Sequence, residues 1–152
     1  MKARLLVVNN NLEEKIIYMT EIREQIGRHN DFGMEDIHVT ISNLLHALGI
    51  PSHIKGYQFI RSAIAMVYNN PKLIGGITKE LYPGISIKFN TSIQRVERAI
   101  RHAIEISWTR GDIELMEDIF GHSVGIDKSK PTNSEFIVTI ADKLRLEMIR
   151  VK

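Results

Sequence analysis

Apolar residues recur at helical spacing through most of this chain, most clearly from Thr91 to Arg110, TSIQRVERAIRHAIEISWTR. At about 100° per residue, Ile93, Val96, Ala99, Ile100, Ala103 and Ile104 share one side of a helix. Gln94, Arg95, Arg98, Arg101, His102 and Glu105 fall in an opposing arc of roughly 120°. Thr91 or Ser92 supplies the cap. Ile37, Ile41, Leu44, Leu45 and Leu48 form an earlier stripe closed by Gly49 and Pro51. Phe59, Ile60, Ala63, Ile64, Val67 and Tyr68 predict a helix over Gly56–Asn69. Leu73–Leu81 reads as a further helix begun near Pro71, with Tyr82-Pro83-Gly84 ending it. Ile113–Phe120 reads as a short helix, and Pro131-Thr132-Asn133-Ser134 starts a last one over Glu135–Ile149.

The front of the chain differs. Lys2–Val8 is short and β-branched at its end, and Asn9, Asn10 and Asn11 stop it, so it reads as a strand and turn. Leu12–Gly27 follows with helical spacing. The pattern thus predicts an all-α domain over 34–152, preceded by a short strand and helix segment over 1–33.

Charge sharpens this. Residues 1–50 carry five Lys/Arg against seven Asp/Glu, and residues 51–152 carry fifteen against eleven. The basic excess lies with the long amphipathic helix. There is no cysteine, which excludes disulfides, thiolate metal sites and a cysteine nucleophile. No apolar run approaches the roughly 20 residues that span a bilayer, and the N-terminus does not read as a signal peptide, so a cytoplasmic location is expected. The six histidines are scattered without metal-ligand spacing. No phosphate-binding glycine motif appears, and no set of nucleophile, base and orienting group argues for an enzyme. Neither a metal nor another cofactor is expected.

The chemistry that remains is DNA recognition. A helix over Leu73–Leu81, a second short helix over Pro83–Phe89, a polar turn at Asn90-Thr91-Ser92 and a long basic helix to Arg110 resemble a helix-turn-helix. Arg98 and Arg101 can each donate two hydrogen bonds to guanine, and Gln94 can pair with adenine. Arg95, His102 and Lys88 suit phosphate. Glu97 and Glu105 can accept from cytosine or orient the arginines. The same pattern also fits a solvated face in a helical bundle, with Glu97–Arg101 as an i,i+4 pair.

HIKGYQFIRSAIAMVYNN, ITKELYP, RVERAIRHAIEISWTRG and KPTNSEFIVTIADKLRLE resemble the DNA-binding effector domain of the stage 0 sporulation protein A family, nearly without a break from Ile50 to Glu147. The resemblance implies about six helices with a helix-turn-helix whose reading helix is Thr91–Arg110. It implies Arg98 and Arg101 as base readers, with Glu97 and His102 beside them. Gln94 stands where the family commonly has serine. It further implies double-stranded DNA boxes with a GTC core, often in tandem, as for a homodimer on DNA, and activation or repression of transcription. Contact with an RNA polymerase sigma factor is implied for Gly111–Val124, chiefly Ile113, Leu115, Glu117, Phe120 and Val124. There Leu115, Met116, Glu117 and Asp118 replace small polar residues, and core packing is the alternative for Phe120 and Val124.

The family's phosphorylated receiver domain is expected to be absent or vestigial. Its first strand and helix resemble residues 1–22, but Asn9 and Asn10 replace the acidic pair that would hold Mg²⁺. DNA binding is then expected to escape control by phosphorylation. The alternative function is an interaction protein that antagonises or heterodimerises with a full-length regulator.

Overall fold

The computed structural model describes residues 34–121 and 130–151, and among them six α-helices and no strand. The all-α expectation holds there. The predicted strand over Lys2–Val8 and helix over Leu12–Gly27 lie outside the described residues.

Helix α1, Met34–Ala47, buries Ile37, Ile41, Leu44 and Leu45. Gly49 at φ +82° ends it, with Gly49 N–H on the His46 carbonyl and Ile50 N–H on the Leu45 carbonyl. This paired closure needs a left-handed residue, which glycine adopts without strain. Helix α2, Lys55–Asn69, is buried almost all round, from Gly56 and Tyr57 to Ala65 and Val67. With most of its surface covered, α2 is the axis of the domain. It packs against α1, against α4 (Ile93–Arg110) and against α6 (Asn133–Val151). Gly56 permits the closest of these approaches. A Cβ there would stand 2.2 Å from the Ala99 carbonyl oxygen and 2.8 Å from the Ala103 Cβ.

Between α2 and α4 the predicted helix over Leu73–Leu81 is not an α-helix. Pro71–Gly76 is a 3₁₀ turn and Ile77–Leu81 a π-turn. Gly75-Gly76 explains the change, since two adjacent glycines are poor α-helix formers. That segment stops at Leu81, and Tyr82-Pro83-Gly84 opens helix α3, Tyr82–Lys88, the short connecting helix expected there. Pro83 sits in the first turn, where it sacrifices no intrahelical bond. Helix α5, Ile113–Phe120, begins at Asp112, whose carboxylate accepts the N–H groups of Glu114 and Leu115.

Candidate nucleic-acid interface

Helices α3 and α4 and the turn between them form the helix-turn-helix. Asn90 ends α3 as Gly49 ends α1. Its φ is +51°, Asn90 N–H reaches the Ile87 carbonyl, and Thr91 N–H reaches the Ser86 carbonyl at 2.9 Å. Asparagine tolerates this left-handed geometry better than other side-chain-bearing residues. Of the two cap candidates, Ser92 is the one used, its hydroxyl accepting Arg95 N–H at 3.1 Å.

Val96, Ile100, Ala103, Ile104 and Ser107 carry α4 on the core. At its end the Ser107 hydroxyl donates to the Leu48 carbonyl at 2.6 Å in a buried site. Near its start the Asn133 amide donates to the Glu97 carbonyl at 3.0 Å, and Asn133 also hydrogen-bonds the Tyr82 side chain. Burial pushes the Tyr82 phenol up, with Asn133 and the charge of Arg101 pulling the other way. Asn133 thereby ties α3, α4 and α6 together. It sits beside Thr132, whose hydroxyl accepts the Glu135 N–H at 3.2 Å and caps α6.

The opposite face of α4 meets solvent. Gln94, Arg95, Arg98, Arg101 and His102 are exposed, and Glu97 is half-buried. Glu97 and Arg101 form an ion pair one turn apart. Among the described residues the side chains of Arg95 and Arg98 make no ion pair. Lys130 bridges to Glu105 at 2.9 Å, and that hydrogen bond and charge hold the Glu105 carboxyl below its usual range. Arg95, Arg98, Arg101 and His102 line an open groove of about 490 Å³, shared with Lys55, Phe59 and Thr91. Lys88 is not in that lining. Its ammonium donates to the Ser62 hydroxyl at 3.2 Å and lies 5.5 Å from the Phe89 ring centre.

Sequence reasoning brought the α4 residues together but missed Lys55, Phe59, Lys130 and Asn133. Asn133 stood inside a motif read only as a helix start. The expected partner surface is divided. Leu115 and Phe120 are 1% and 3% exposed and face the core, whereas Ile113 and Glu117 face solvent. Phe120 packs between Trp108 and Phe136, with ring centres at 5.8 and 5.2 Å. Helical period explains the split: 115, 116, 119 and 120 share one face. The outward part of that surface reduces to Ile113 and Glu117; Val124 lies outside the described residues.

Among the described residues no three His, Asp or Glu side chains gather as a metal site, and no helix is long and apolar enough to cross a membrane. Residues 41–144, which span α1 to α6 and hold the whole helix-turn-helix, match the family described as sporulation initiation factor Spo0A C terminal, and the chain belongs to that family of DNA-binding sporulation regulators.

Proposed function

We propose that the protein is a sequence-specific transcription regulator that lays α4 in the major groove of a GTC-containing box. The observation that carries this reading is the pair Arg95 and Arg98. Both guanidinium groups are exposed on one face of a helix whose other face is fixed to the core, and no carboxylate engages either among the described residues. Arg98 and Arg101 donate to guanine, and Gln94 addresses a neighbouring base. Glu97 pairs with Arg101 one turn away and helps to orient it. Arg95, His102 and Lys88 meet phosphates and supply the salt-sensitive share of affinity. The mechanism is binding, and no catalytic step is assigned. A homodimer on tandem boxes fits the same reading. Ile113 and Glu117, exposed on α5, are the residues offered to a sigma factor.

A titration of a GTC-box duplex and a scrambled duplex of equal length tests the proposal. The box should bind more tightly. Arg98→Ala should cost about 1–3 kcal/mol on the box and relax preference at one base pair. Equal affinity for the two duplexes, or an Arg98→Ala protein that binds the box like its parent, would refute it.

A further inference from the structure

Three helices bring two cations and an imidazole to neighbouring positions beside the reading helix. His38 and Ser42 lie one turn apart on α1, Arg61 and Ser62 are adjacent on α2, and Lys88 ends α3. Arg61 Nη1 donates to the Ser42 hydroxyl at 3.3 Å, and the guanidinium carbon lies 5.6 Å from the Tyr57 ring centre. Lys88 Nζ donates to the Ser62 hydroxyl at 3.2 Å. Among the described residues neither cation has a carboxylate partner. His38 is half-buried on α1, one turn from the Ser42 that Arg61 engages, and burial and then the charges of Arg61 and Lys88 hold its pKa down. Like charges gathered on neutral hydroxyls and ring faces repel one another until an anion joins them.

The position of the cluster selects the anion. Lys88 lies over Phe89, and the Phe89 ring meets Phe59 edge-on at 5.2 Å. Phe59 lines the α4 groove together with Thr91, Arg95 and Arg98. The cluster is therefore one aromatic pair away from the start of the reading helix. A duplex seated on that half of α4 carries a strand of phosphates on each side of its groove. We infer that His38, Arg61 and Lys88 form a clamp for one backbone phosphate of the bound DNA, on the α1 side of the interface. The inference rests on the DNA-binding reading and adds to it a contact from α1 and α2, outside the helix-turn-helix. Arg61 supplies the planar donor pair, Lys88 a point charge, and His38 a donor whose cation the phosphate favours.

The test uses the whole chain, box and scrambled duplexes, and a sodium chloride series. Arg61→Gln and Lys88→Gln should weaken both duplexes by the same factor, roughly 3–10-fold, and lower the slope of log affinity against log salt by about one. Arg61→Lys should restore most of the slope. His38→Gln should flatten the rise in affinity expected as pH falls below 6.5 toward the lowered His38 pKa, with His102→Gln run beside it to separate the imidazole in the groove. Melting curves identify any variant that fails to fold, and His38 ring resonances in the parent then carry the test, since the duplex should shift them. Unchanged salt slopes in folded variants overturn the clamp alone, while a parent that binds no duplex overturns both readings. Inorganic phosphate that shifts the His38 resonances as the duplex does, at matched ionic strength, marks a free-anion site and overturns the assignment to the backbone.

Discussion

Gly56→Ala sets two effects against each other. Gly56 lies in the first turn of α2, and helix propensity alone favours alanine there by up to about 1 kcal/mol. The added Cβ would stand 2.2 Å from the Ala99 carbonyl oxygen, where ordinary contact begins at 3.4 Å. Neither neighbour can rotate away, because one is backbone and the other is the Cβ of Ala103. Helices α2 and α4 must part by on the order of 1 Å in an interior packed nearly like a crystal. Overpacking costs about 1–3 kcal/mol, and an immovable obstacle belongs at the upper end. The net loss should be about 2 kcal/mol, a fall in Tm of roughly 10 °C for a domain of this size. Thermal unfolding followed by circular dichroism measures it. The displaced α4 should also bind duplex DNA less well at temperatures where the variant is folded. A variant that melts at or above the parent refutes the close approach of these helices, and with it the seating of the reading helix.

Ser107→Ala should cost about 1–3 kcal/mol in urea unfolding, because it strips the buried Leu48 carbonyl of its donor; an unmoved midpoint would count against that bond. Asn133→Ala should cost on the order of 1 kcal/mol and reduce hydrogen-exchange protection together in α3, α4 and the start of α6. Loss confined to α6 would contradict its role as a three-way tie. Burial first, then Arg61 and Lys88, hold the His38 pKa below its ordinary 6.5. Its contribution to folding is therefore present above 6.5 and lost as pH falls through the lowered value. In phosphate-free buffer His38→Gln should lose less Tm on acidification than the parent, and parallel curves would refute this.

The helices that read clearly were those with long apolar stripes and glycine or asparagine stops. α4 was placed within two residues, and Ile113–Phe120 was placed as found. The region before α3 did not read correctly, because Leu73, Ile77 and Leu81 keep helical spacing while Gly75-Gly76 changes the hydrogen-bond pattern beneath it. Tyr82-Pro83-Gly84 shows the same ambiguity, since proline and glycine punctuate both ends of helices. The exposed face of α4 followed from periodicity alone. What closes around it did not, because Asn133 meets Glu97 across 36 residues and Lys130 meets Glu105 across 25. Such pairings depend on how α6 crosses α4, which no local pattern encodes. Leu115 and Phe120 show the converse limit: the helix period turns both side chains inward, which for Phe120 is the core-packing alternative.

The joint between α4 and α5 has a geometric consequence. Only Gly111 and Asp112 separate the two helices. Gly111 leaves no room for a side chain against the Leu48 carbonyl oxygen at 2.5 Å, and Asp112 is spent as a cap. A joint this short has no slack, so α5 keeps a constant bearing from α4. Once α4 settles in a groove, the azimuth of Ile113 and Glu117 around the duplex axis is set by the base pair on which it sits. Moving a binding box by half a helical turn, about 5 base pairs, would swing that face to the far side of the DNA.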